Sequence, residues 1–118
     1  MMKFDVRKTG GITLLALRGK LSFNDLSSSE LSKIGETIKL EISHAENSKV
    51  VIDLSNVSMI DSSVIGFLIV IYKHVVLRNG SIAFVRPNED IMDAFHNLGL
   101  ARVFKFYESE DTATLAMQ

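Results

Sequence analysis

The 118-residue chain contains no cysteine. That absence removes disulfides, thiolate nucleophiles and Cys-based zinc sites together, and fits a reducing cytoplasm. Charge of one sign is missing as well: 13 basic against 14 acidic residues leave a formal net charge of -1. Such a balance gives no electrostatic footprint for nucleic acid or an anionic membrane, so the expected partner is another protein or a small ligand. The mixed charge is compatible with a monomer. The longest apolar run, near residues 64 to 72, falls well short of the roughly 20 residues of a membrane span. Met1 to Asp5 carry no apolar stretch of signal-peptide length, and a cytoplasmic, unexported protein is expected.

Chemistry that depends on residue spacing is also sparse. Gly10-Gly11 and Gly99 do not have the spacing of a phosphate loop, no two histidines stand at helical ligand spacing, and no carboxylate cluster resembles a calcium loop. No metal or other cofactor is therefore expected. His44, His74 and His96 could in principle serve Ser62 as the base of a hydrolase. However, the turn around Ser62 lacks a glycine-flanked nucleophile elbow, and His74 lies about 18 Å further along the same predicted helix. Nucleophile and base must lie within hydrogen-bond reach, so no catalytic residue is assigned.

What is present is a clear alternation of elements. An apolar content of 47% suffices for one core in a chain of this length, so residues 1–118 are expected to form one domain. Phe4 and Val6 alternate with polar residues, Lys8-Thr9-Gly10-Gly11 supplies turn chemistry, and Ile12 to Leu17 can return as a second strand. Leu31, Ile34, Ile38 and Ile42 recur at spacings of three and four, predicting an amphipathic helix from near Asn24 to near His44. Residues 49 to 54 read as a buried strand. Residues 62 to 79 read as a helix closed by Asn79-Gly80. Ser81 to Val85 is the next strand. Pro87-Asn88 opens a short helix through Leu98, stopped by Gly99, and residues 102 to 107 alternate as a last strand. Ser109, with Glu110 and Asp111 behind it, caps a final helix. The order β-β-α-β-α-β-α-β-α defines an α/β fold whose mixed sheet opens with an antiparallel hairpin.

The segment from Asp53 to Gly66 holds the densest chemistry. Asp61-Ser62-Ser63 stands where an apolar strand hands over to an apolar helix, beside unpaired backbone N–H groups and the positive end of the helix dipole. Taken alone, Ser62 reads as a helix cap and Ser63 as a first-turn residue satisfying a backbone donor. Of the apolar neighbours, Met59 and Val64 are expected to be partly exposed and partner-facing. Ile60, Ile65, Leu68, Ile69 and Tyr72 are expected to be mainly buried.

The run Val51-Ile-Asp-Leu-Ser-Asn-Val-Ser-Met-Ile-Asp-Ser-Ser-Val-Ile-Gly66 resembles the signature of STAS domains, in particular the bacterial anti-sigma-factor antagonists. The resemblance extends over nearly the whole chain, through Gly19, Asn79-Gly80 and Leu98-Gly99-Leu100. It implies a single STAS-like domain acting as a protein-binding switch. In such antagonists the unphosphorylated form sequesters an anti-sigma factor that is also a serine kinase, so that a sigma factor is released. The kinase then phosphorylates the first serine after the aspartate, and a phosphatase resets the cycle. Carried onto this chain, the resemblance makes Ser62 the phosphoacceptor and Ser63 the second choice. Asp61, Ser62, Ser63, Met59, Val64, Ser22 and Asp25 form the partner-binding set. Nucleotide belongs to the kinase partner. The alternative function is a STAS scaffold subunit of a signalling or lipid-transport complex that docks without phosphorylation. Two positions depart from the family pattern: Val64 stands where glycine follows the serines, and Ser22 where many members carry an aspartate for which Asp25 is the candidate substitute.

Overall fold

The computed structural model describes residues 3–21, 36 and 48–118. Strand β1 (Lys3–Thr9) and strand β2 (Ile12–Leu21) form the opening antiparallel hairpin. Gly10 and Gly11 both take positive φ, 55° and 80°. That is the two-residue turn whose twist matches the flanking strands and which residues with a Cβ resist. The predicted helix between Asn24 and His44 lies outside the described residues, as do Ser22 and Asp25.

Strand β3 (Lys49–Ile60) lies parallel to β2 and to β4 (Ser81–Val85), and β5 (Lys105–Tyr107) lies parallel to β4. The sheet order is β1-β2-β3-β4-β5, with only the hairpin antiparallel. The helices are α1 (Ser62–Leu77), α2 (Glu89–Asn97) and α3 (Glu110–Met117). Period-2 alternation in β3 separates two cores. Val50, Ile52 and Leu54 join the buried faces of α1 and α2, while Val51 joins Ile12, Leu14, Val85 and Ala113 of α3. α1 and α2 therefore cover one face of the sheet, and α3 the other.

Three strand boundaries differ from expectation, the first being β2, which runs past Leu17 to Leu21 alongside β3. β3 runs on to Ile60, because after Asp53↔Val85 it has lost β4 but keeps pairing with β2 as far as Leu21↔Ile60. A segment paired on one side only can be polar, which is why Ser55-Asn56 does not read as strand. β5 starts at Lys105 rather than 102. Leu100–Arg102 forms a 3₁₀ turn, and the Phe104 N–H donates to the Leu100 carbonyl at 2.8 Å instead of to a neighbouring strand. That turn sends the Phe104 ring inward, where it stacks on Phe84 with centroids 4.4 Å apart and meets Phe95 edge-on.

The turn after α1 is a close approach. Asn79, at φ 60°, takes the left-handed position that stops the helix. Gly80 then passes so near its neighbours that a Cβ would lie 2.6 Å from the Ser48 carbonyl oxygen and 2.7 Å from Val75 Cγ1.

Candidate functional site

Asp61 is the N-cap of α1. With φ -99° and ψ 172° it sits in extended backbone, its Oδ1 accepts the Val64 N–H at 2.9 Å, and its carbonyl accepts the Ile65 N–H at 3.0 Å. This corrects the cap reading of Ser62. The carboxylate does the capping, so Ser62 and Ser63 fall on the first two helical positions, and both are exposed. Each is close to the positive end of the α1 dipole.

The strand leading to this turn is held from two sides. The Asn88 side-chain amide donates to the carbonyls of Val57 and Ser58 at 3.4 and 3.1 Å, while its Oδ1 accepts the Ile91 N–H at 2.9 Å to cap α2. The Ser58 hydroxyl reaches the Gly19 carbonyl on β2 at 3.4 Å. These contacts fix Val57 and Ser58 of β3, a few residues before Asp61.

Met59 is 42% exposed, as expected for a surface position beside the serines. Val64 is 3% exposed and belongs to the core, against expectation. Helical phase explains it. Val64, Ile65, Leu68, Ile71 and Val75 form the buried face of α1, so a larger residue in place of glycine at 64 adds core volume and leaves the surface unchanged. Ile65 and Leu68 are buried as predicted, whereas Ile60, Ile69 and Tyr72 are partly buried at the core's edge.

A second face of α1 escaped the sequence reading. Ser62, Gly66, Val70, Lys73 and Leu77, separated by four, four, three and four residues, are all exposed, with Val70 at 63% and Leu77 at 81%. The stripe begins at the serine and carries two large apolar side chains, Val70 and Leu77. The signal was muted because α1 is apolar on both faces, so it lacks the contrast that separates a core stripe from a surface one.

The histidines do not assemble with Ser62. His74 is twelve residues along α1, with Nδ1 3.1 Å from an Arg78 guanidinium nitrogen. His96 is exposed in the last turn of α2, and His44 lies outside the described residues. Among the described residues no group of three His, Asp or Glu side chains could hold a metal, and no helix is long and apolar enough to cross a membrane.

A buried carboxylate was also missed. Asp53, 7% exposed, sits in β3 on the α3 face. Burial opposes its ionisation, but hydrogen bonds from Glu110 and from the Ser55 hydroxyl and amide, aided by Arg7, outweigh it and lower its pKa. The hydrogen bond to Asp53 raises the Glu110 pKa, burial adds to this, and Arg7, 2.6 Å from Glu110 Oε1, opposes it. An acid within the apolar run from Val50 to Leu54 was the available signal.

A STAS-domain family model matches residues 3–113, and the chain belongs to the STAS family, a family of binding proteins. Similar solved structures include a candidate anti-sigma factor antagonist of Thermotoga maritima, with 23% identity, 97% of this chain and 93% of that one covered, and a TM-score of 0.83. An anti-sigma factor antagonist of Mycobacterium paratuberculosis shares 20% identity over 99% of this chain and 94% of its own, with a TM-score of 0.78. The phosphorylated form of the Bacillus cell fate determinant SpoIIAA shares 17% identity over 98% and 100%, with a TM-score of 0.75. These likenesses establish the fold. No curated protein matches the chain.

Proposed function

We propose that the protein is an anti-sigma-factor antagonist, a phosphorylation-controlled switch that sequesters a kinase-type anti-sigma factor through the Ser62 edge and so releases a sigma factor. The observation that carries this reading is the division of labour at the start of α1. Asp61 satisfies the helix end, and Ser62 presents its hydroxyl to solvent beside exposed Met59. The folds shared with antagonists, one of them in a phosphorylated form, support it.

Ser62 is the acceptor in this cycle, Ser63 the second choice, and a phosphatase resets the switch. A phosphoserine carries about -1.5 to -2 charges, and inside a desolvated contact next to Asp61 it adds repulsion and a dehydration cost. Each 1.4 kcal/mol or so of that cost weakens binding about tenfold. Val64 is absent from the contact because it is buried. Incubation with the cognate anti-sigma kinase and ATP, followed by mass spectrometric mapping, tests the reading. Phosphate on Ser62 and loss of partner binding in Ser62→Asp are expected. Phosphate on neither serine, with binding indifferent to Ser62→Asp, would sink the switch.

A further inference from the structure

At the end of the sheet where β3 hands over to α1, the carboxyl ends of β4 and β5 open into a cleft of about 360 Å³. Its walls come from opposite sides of the sheet: Met92 from α2 on one face, and Thr112 from α3 on the other. β4 leads into α2 and β5 into α3, so the chain leaves two adjacent parallel strands in opposite directions. A crevice at that point, outside the carboxyl ends of the strands, is where open α/β sheets place ligands. The volume lies within the ~300–1,000 Å³ of small-molecule pockets.

The backbone at the mouth is strained. Arg86 has φ 44°, a left-handed conformation that a long side chain rarely takes, and its N–H donates to the Tyr107 carbonyl at 3.0 Å. Strain of this kind collects at binding sites, and here it projects an arginine from the end of β4. The next residues, Pro87 and Asn88, are anchored to β3 through the Asn88 amide, so this wall is fixed before any ligand arrives. The cleft's lining is largely apolar: Met92, Phe106 and Tyr107 contribute to it, and Phe106 stacks on Phe95 with centroids 5.8 Å apart.

The charges at the rim define the ligand. Arg86 and Glu108 both line the cleft and both are exposed, yet among the described residues neither takes part in an ion pair. A cation and an anion that line one cleft with apolar residues and are not paired with each other complement a molecule carrying both charges and an apolar body. We propose that this cleft binds a free α-amino acid with a large apolar side chain, its carboxylate on Arg86, its ammonium on Glu108 and its side chain on Met92 and Phe106. A plain organic acid would leave Glu108 without a partner on the ligand, and a plain amine would do the same to Arg86.

Titration of the isotope-labelled 118-residue protein with L-phenylalanine tests this by NMR, with 3-phenylpropionate and phenethylamine as probes lacking one charge each. Saturable shifts of the Met92 methyl and of the Phe106, Tyr107 and Thr112 amides are expected with phenylalanine, and binding about tenfold or more weaker with either analogue. Glu108→Gln should abolish the preference over 3-phenylpropionate. Arg86→Asn, which tolerates the left-handed backbone, should abolish the preference over phenethylamine. No saturable shift up to about 10 mM, a concentration that reveals even millimolar affinity, overturns the proposal. So does equal binding of all three probes by the unaltered protein, a result that does not depend on either variant folding.

Discussion

At the scale of single residues, the start of α1 separates two roles that the sequence superimposes. Asp61 accepts the Val64 N–H at 2.9 Å, so Asp61→Ala should cost about 0.5–2 kcal/mol of stability. Ser62→Ala, at an exposed first helical position, should stay within about 0.5 kcal/mol. Urea denaturation of both variants checks the assignment, and a larger loss for Ser62→Ala would return the cap to the serine. Two glycines make a similar pair. A Cβ on Gly80 meets a carbonyl oxygen at 2.6 Å and a valine methyl at 2.7 Å, so Gly80→Ala should destabilise the protein by about 1–3 kcal/mol. A Cβ on Gly66 meets nothing within 4 Å, and in mid-helix Gly66→Ala should stabilise by up to about 1 kcal/mol. Thermal melts of the two should therefore move in opposite directions.

At the scale of elements, α3 is tied to the sheet by charge as well as by Ala113. Arg7 of β1, Asp53 of β3 and Glu110 at the start of α3 meet there, with Ser55 donating to Asp53. The raised Glu110 pKa means that its contribution is fully present below the ordinary value of 4.5 and is lost as pH rises through the folded-state pKa. The lowered Asp53 pKa acts oppositely: its contribution is present above 3.8 and is lost as pH falls through the folded-state value. Glu110→Gln keeps a donor for Asp53 and an acceptor for Arg7 at every pH. Its stability relative to the unaltered protein should therefore grow as pH rises from about 4 to 8, read as the difference in urea midpoint; a flat difference would contradict the shared hydrogen bond. The same elements show what is legible in a sequence. Caps and turns are local, so Ser109, Asn88 and Gly10-Gly11 stand where their chemistry indicates. The run of β3 beyond Asp53, the inward turn of Phe104 and the burial of Val64 depend on what lies across the sheet, and no local pattern encodes them. The meeting of Arg7 with Glu110 is equally hidden, since it joins residues 103 positions apart.

For the whole molecule, the placement of the core decides how the proposed switch can operate. Phe84 is fully buried and its ring meets Phe95, Phe104 and Phe106, so the apolar centre lies under β4, α2 and β5. Ser62 belongs to none of this and stands on the exposed side of α1. Negative charge there is favoured by the helix dipole by about 0.3–1 kcal/mol, while native domains are stable by only about 5–15 kcal/mol, so the modification neither threatens nor strongly supports the fold. Ser62→Asp should thus melt within about 4 °C of the unaltered protein while binding the anti-sigma factor at least about tenfold more weakly. Phe84→Ala should behave in the reverse way, losing about 3–5 kcal/mol through its cavity and taking binding down only in proportion to the fraction unfolded. Calorimetric melts and titrations on the same samples separate the cases. Should Ser62→Asp lose binding only in step with a falling melting temperature, the switch would work by unfolding the domain, and the exposed serine edge would not be where the partner is refused.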